Sequence, residues 1–232
     1  MTDERPMYRR LFWRCVRLGL VAVLLIALLP FGLTVLYRYV DPPGSTLMMA
    51  RVLTGEPVTH DWVPLEQMSP RLIASVIVSE DSRYCSHGGI DWQAIELVLE
   101  QAEEGKPLRG ASTITMQTVK NLFLWHGRSY LRKALEVPLA LWANQVLSKR
   151  RLLEIYLNIA EWGPGIFGAE AAARYRFKRS AAKLGREQSA LLATSLPNPA
   201  LRNPARPGRK HKRLGRIIQK RAAQSGGLLD CL

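Results

Sequence analysis

Twenty consecutive uncharged residues, LGLVAVLLIALLPFGLTVLY at 18–37, constrain this chain more than any other feature. As a helix rising ~1.5 Å per residue, the run spans roughly 30 Å, the thickness of a bilayer's hydrocarbon core. A soluble helix of this length would show a polar face, and this one has none. Pro30 kinks such a helix without forbidding a span. A cleavable signal peptide has a shorter apolar core and a small-residue cleavage site. Here Arg38, Tyr39 and Asp41 follow instead, so the run reads as an uncleaved anchor. Arg5, Arg9, Arg10, Arg14 and Arg17 precede it, and only Arg38 follows closely. The positive-inside rule therefore places the N-terminus in the cytoplasm and the remaining ~190 residues on the far side.

Thirty-three basic against 19 acidic residues give a formal charge of +14, which calls for an anionic partner. Outside the cytoplasm that partner is not nucleic acid; anionic lipid or a phosphorylated substrate remains. The three cysteines, Cys15, Cys85 and Cys231, make no disulfide framework, and the spacing leaves a Cys85–Cys231 pair open.

Beyond the anchor the pattern is mainly α. Residues 38–61 are rich in Pro and Gly and read as a juxtamembrane connection with at most one short strand. Ser69-Pro70 starts a helix that ends near Glu80. Asp91 caps a second helix, and a third fits 113–123. Longer helical patterns cover 129–147, with Pro138 inside, and the run after Ser148. An alanine-rich helix follows over 168–177 and another over 185–196. The last element, about 208–224, is basic. The organisation expected is a cytoplasmic segment 1–17, the anchor 18–37, the connection 38–61, a compact module 62–204 and a basic tail 205–232.

Three local constellations can carry chemistry. Glu80 stands at a helix C-terminus, where the dipole disfavours negative charge, and beside Asp81; both effects raise its pKa and suit a general base. Locally, two solvated acids at a frayed helix end are the plainer reading. In GASTITMQTVKNLF, Thr113, Gln117, Lys120 and Asn121 recur at i, i+4, i+7 and i+8 and make one polar face, with Ser112 at the helix start. Arg132, Lys133 and Glu136 fall on one face of the next helix, either a surface ion pair or a cationic clamp for phosphate.

The order of these pieces carries a resemblance. Glu80-Asp81 with Tyr84 and His87, then GASTITMQ, then Arg132-Lys133-x-x-Glu136, then KRRLLEIYLN, then GIFGAEAAA resemble the five motifs of the family 51 peptidoglycan glycosyltransferases. The closest form is the monofunctional kind, with one anchor and one catalytic module, and the resemblance covers about 62–204. It implies a lysozyme-like helical fold. It implies polymerisation of lipid II onto a lipid-linked growing glycan strand, with release of undecaprenyl pyrophosphate and inversion at the anomeric carbon. It assigns Glu80 as general base and Glu136 to the donor pyrophosphate, beside Lys120, Arg132 and Lys133. It places Asp81, His87, Ser112, Thr113, Gln117 and Asn121 along the cleft. It admits Mg²⁺ or Mn²⁺ at the pyrophosphate, with Glu136 the candidate ligand, and no organic cofactor. Membrane lipids and proteins of wall synthesis or division are the implied partners, at a bacterial inner membrane with the module in the periplasm. The segment NLFLWHGRSYL is expected at the membrane, with Leu122, Phe123, Leu124 and Trp125 touching acyl chains.

Tyr84, Met116, Arg176 and Lys178 depart from the usual pattern, where Phe, Gln, Tyr and Gly are common. Two other readings compete: a membrane-bound hydrolase or lytic enzyme, which would have no pyrophosphate for the Arg132-Lys133-Glu136 group to handle, and a non-catalytic anchored scaffold.

Overall fold

A computed structural model describes residues 5–105, 110–127 and 129–232, with side chains from residue 9 onward. Most of the loop expected at 105–110, Arg128 of the expected membrane-side segment and the side chain of Arg5 fall outside the described residues.

Helix α1, Arg5–Leu36, runs through Pro30. The Thr34 hydroxyl donates to the Pro30 carbonyl at 2.7 Å. The stretch Arg9–Leu36 is long and apolar enough to cross a membrane. Its last turns are not free of the body. The Trp142 indole N–H donates to the Phe31 carbonyl at 3.1 Å, and the Tyr37 ring stacks on Phe123 at 6.1 Å. Arg151 donates to the carbonyls of Tyr37 (2.9 Å) and Val40 (3.0 Å) and pairs with Asp41 at 2.8 Å. The connection after α1 holds a helix the sequence did not announce, α2 at Thr46–Leu53, capped by Ser45. Thr46 ties it down, donating to the Leu124 carbonyl at 2.6 Å. Strand β1, Thr59–His60, follows.

Helix α3, Pro70–Glu80, buries Leu72, Val76 and Ile77 completely. Ser69 does not cap it as expected: its hydroxyl donates to the Leu184 carbonyl at 3.0 Å, joining two segments instead. Helix α4, Trp92–Glu103, starts on the Asp91 carboxylate, which accepts the Ala94 N–H at 2.8 Å. Helix α5, Ile114–Phe123, is capped by Thr113; α6, Tyr130–Val146, by Ser129; and α7, Lys149–Ile159, by Ser148. Helix α6 continues through Pro138. Strands β2, Glu161–Gly163, and β3, Ile166–Phe167, complete a sheet of order β1-β3-β2, parallel between β1 and β3 and antiparallel between β3 and β2. Strands of two or three residues are too short to leave an alternating pattern in the sequence.

Helix α8, Ala169–Phe177, ends on Lys178 at φ 56°. Glycine is common there in the resembling family because only glycine enters that region without a Cβ penalty. Helices α9, Arg186–Ala193, and α10, Arg209–Ala222, pack on α3 and on each other. A Cβ on Gly215 would sit 2.8 Å from the Leu191 side chain, so this glycine permits the close approach of α10 to α9. His211, Gly215 and Ile218 face inward, while Arg209, Lys210, Lys212, Arg213, Arg216, Lys220 and Arg221 face solvent. A disulfide joins Cys85 to Cys231 and pins the chain's end.

Helix α5 packs against both α6 and α7, with α1 against α6. One continuous core, including Tyr156, Trp162, Phe167, Leu152 and Leu153, links this group to α3. The acyl-chain contacts expected of 122–125 need correction. Leu122 and Leu124 are buried in that core, and Phe123 is covered by Tyr37; Trp125 stays exposed. The packing of α1 and α2 over the end of α5 removes the others from the surface.

Candidate active site

Helix α3 delivers Glu80 as its last residue and Asp81 as its C-cap, and the two carboxylates part company at once. Asp81 is turned inward. It accepts the Ile114 N–H at 2.9 Å and faces the His87 ring Nε2 at 2.9 Å. The first free amide of α5 is thereby satisfied by a charged acceptor, an arrangement that helix termini favour. The loop between them is braced from α7. Lys149 donates to the His87 carbonyl at 2.8 Å and lies 4.7 Å over the Tyr84 ring. The Tyr84 hydroxyl, absent from the usual Phe, donates to the Lys149 carbonyl at 2.7 Å. Gly89, at φ 95°, lets this loop meet α6, since a Cβ there would lie 2.8 Å from the Ala140 carbonyl oxygen.

Glu80 takes the other course. It lines a cavity of about 140 Å³ with Asp81, Ser82, Asp91, Ala94, Gly110, Ala111, Ser112 and Thr113. Its Oε2 accepts from Gln117 Nε2 at 3.3 Å and its Oε1 from the Ser79 hydroxyl at 3.3 Å. Burial pushes its pKa up; the Gln117 and Ser79 hydrogen bonds and the charge of Arg202 act against this, and Asp81 adds the smallest upward push. Desolvation, rather than the helix terminus and the neighbouring acid to which the sequence points, is the leading cause.

Beyond the start of α5, where Lys133 meets Ser112, the second acid is fully committed. Glu136, 2 % exposed, accepts from Arg132 on Oε1 and from Lys133 on Oε2, the latter at 2.9 Å. Lys133 also donates to the Ser112 hydroxyl at 3.1 Å. Lys120 feels both Glu80 and the cations around Glu136: burial lowers its pKa, Arg132 lowers it further, and Glu80 raises it. Lys133 is likewise lowered by burial, then by Arg132 and Lys120. The ring of His126 is pushed down to about 4, first by desolvation, then by Lys120, Arg132 and Arg51. Cations are crowded here beyond what one carboxylate neutralises, and an incoming anion would relieve them.

The structure thus joins Glu80 with Gln117, Asp81 with His87 and the start of α5, and Ser112 with Lys133, Arg132 and Glu136. Thr113 is used within the fold: buried, it caps α5 and donates to the Gly89 carbonyl at 2.6 Å. Asn121 lies half-buried on the face of Gln117 and Lys120, with its backbone carbonyl accepting from Thr46 at 3.1 Å. Met116, which replaces a more usual Gln, is buried in the core, its sulfur 3.9 Å from the Lys133 ammonium. Arg176 lies against Gly163 of β2. Arg202, His126 and Tyr156 were not foreseen at the site. Arg202 sits just before the basic run counted from Arg206, and only tertiary packing brings it to Glu80.

Among the described residues no group of three His, Cys, Asp or Glu side chains is placed to hold a metal ion. With both Glu136 oxygens committed to cations, the donor set does not fit a divalent ion held by the protein itself.

A transglycosylase family model matches residues 46–222, which takes in α2 and α10. The chain is 56% identical over 218 residues to a biosynthetic peptidoglycan transglycosylase of Brucella suis biovar 1, covering 94% of this chain and 97% of that protein. It is 52% identical over 214 residues to the protein of that name from Agrobacterium fabrum, covering 92% and 95%. A third of that name, from Rhizobium johnstonii, is 50% identical over 232 residues, covering 99% and 95%.

Proposed function

Because the chain belongs to the transglycosylase family and is a peptidoglycan glycosyltransferase that makes glycan strands for the bacterial cell wall, we propose how its own residues carry the reaction. Its substrates are lipid II and the glycan strand. Glu80 removes the proton from the 4-hydroxyl of the GlcNAc of lipid II. That oxygen attacks C1 of the terminal MurNAc of the lipid-linked strand from the face opposite the leaving group. The C1–oxygen bond to undecaprenyl pyrophosphate breaks, its electron pair leaves with the phosphate, and the configuration inverts.

The observation that carries this assignment is the unlike setting of two acids around one helix. Glu80 is half-buried with the neutral donors Gln117 and Ser79, and its partial desolvation lets it hold a proton more readily than an ordinary carboxylate, which suits a base. Glu136 orients Arg132 and Lys133, which with Lys120 face the developing pyrophosphate charge. Asp81 and His87 hold the loop and the start of α5, and Ser112, Gln117 and Asn121 line the cleft. A Mg²⁺ or Mn²⁺ ion would have to arrive on the substrate's pyrophosphate, and no step above requires it.

We further infer that α1 is a single-pass anchor in the inner membrane, with the N-terminus cytoplasmic and the module periplasmic. The arginines before the span support this orientation. The Cys85–Cys231 disulfide is a second support, since such bonds persist in oxidising compartments. Membrane lipids, and proteins of wall synthesis or division, are the partners proposed.

Purified enzyme incubated with lipid II, with and without Mg²⁺, tests the scheme. Polymer and free undecaprenyl pyrophosphate should appear in both samples. Polymer that appears only with Mg²⁺ would contradict a leaving group neutralised by Lys120, Arg132 and Lys133 alone.

A further inference from the structure

Two tyrosines are wholly enclosed near the site, and their hydroxyls do different things. Tyr84 donates to a backbone carbonyl, that of Lys149. Tyr156, on α7, donates to a side chain: its hydroxyl lies 3.0 Å from Gln117 Oε1. The same amide, through Nε2, reaches Glu80 Oε2 at 3.3 Å. A primary amide has one acceptor end and one donor end. If the phenol holds the acceptor end, the donor end is left for the carboxylate. Tyr156 is 1 % exposed, and burial together with the charges of Glu80 and Asp81 pushes its pKa well up, so the phenol keeps its proton.

We propose that Tyr156 is a positioning residue for the glycosyl transfer, acting through Gln117 to hold the Glu80 carboxylate in its reactive orientation. The chain Tyr156–Gln117–Glu80 crosses from α7 through α5 to the end of α3, so three rigid elements fix one oxygen of the base. Among the described residues the other oxygen has Ser79 alone, at 3.3 Å, a long contact that an acceptor hydroxyl can displace. The motif KRRLLEIYLN thus contributes to the chemistry as well as to the scaffold. Its Glu154 and Asn158 bind the incoming chain at Leu65 and Val63, while Tyr156 faces the site.

This inference rests on Glu80 being the base, and its test keeps the two apart. Tyr156→Phe retains the ring and removes only the hydroxyl. With lipid II as substrate, kcat should fall about tenfold, the scale of one lost buried hydrogen bond. The acid limb of kcat/KM should move to higher pH, because a misplaced Gln117 no longer favours the charged carboxylate. Among the described residues the other charged or titratable groups facing Glu80 are Asp81, Lys120 of α5 and Arg202 of the loop after α9, and the variant leaves all three in place. In a Gln117→Ala background the same substitution should have no further effect on kcat or on the acid limb. An unmoved pH profile, or equal effects of Tyr156→Phe with and without Gln117, overturns the proposal and assigns the hydroxyl to stability alone. Turnover retained in Glu80→Gln would instead remove its premise.

Discussion

Glu80 and Glu136 show at the scale of single residues how position divides the work of like groups. Among the described residues one carboxylate is half-buried with no cation in hydrogen-bond contact and resists ionisation; the other is held between two cations. A base must be deprotonated, so activity falls as pH drops through Glu80's raised pKa, above the ordinary ~4.3 for Glu. Lys120 and Lys133 have lowered values, so their positive charge is lost as pH rises through a point below the ordinary ~10.4 for Lys. The expected kcat/KM profile on lipid II is a bell narrower than those two reference values. A profile flat across that window would contradict both assignments.

Stability has its own sign at Glu80. The folded chain binds this proton more tightly than the unfolded chain, so the group's contribution is greatest at low pH and is lost as pH rises through the folded pKa. Glu80→Gln should therefore raise Tm at neutral pH, by about 2–4 °C for each kcal/mol of burial cost removed. A thermal scan in detergent, with wild type alongside, checks this.

At the scale of elements, α5 is the organiser, since its Gln117 reaches Glu80, Ser112 at its start meets Lys133 of the Glu136 group, and its first amide is held by Asp81. Asp81→Ala removes that acceptor and the His87 contact together. A loss of about 1–2 kcal/mol is expected, with slower polymerisation, and Asp81→Asn should recover part of the stability because an amide oxygen can still accept from Ile114. Equal Tm values for the two variants would show that the carboxylate oxygen does not hold the helix start. The helices that the sequence announced are those with local punctuation: Asp91, Thr113, Ser129 and Ser148 each cap where the pattern begins. What escaped was set by distant partners. Ser69 turned to Leu184, α2 formed where Pro and Gly suggested a connection, and Leu122 and Leu124 were covered by elements far away in the chain. The site divides in the same way. Its acids, cations and Gln117 were legible as ordered motifs, whereas Arg202 and Tyr156 reach it only through packing.

For the whole molecule, the C-terminal base of α1 and the segment around Cys231 are tied to the catalytic body. The last turns of α1 and the residues just after it are held by Trp142, Phe123 and Arg151, and Cys231 is fastened to the loop behind Asp81. The disulfide closes a separation of 146 residues. The chain-entropy account assigns such a loop about 5 kcal/mol, equivalent to a Tm loss on the order of 10–20 °C on reduction. Unfolding with and without dithiothreitol, and of Cys231→Ser, measures it; an unchanged Tm would mean that the packed tail holds without the bond. The basic outer face of α10 adds surface charge without entering the core, so part of the chain's +14 lies away from the site.

The most direct test of the central claim is lipid II polymerisation by Glu80→Gln beside wild type, at equal protein and neutral pH. The variant should remain folded and form no polymer, because the amide cannot take the acceptor's proton. Polymer formed by Glu80→Gln at a rate near wild type would contradict the assignment of Glu80 as the base.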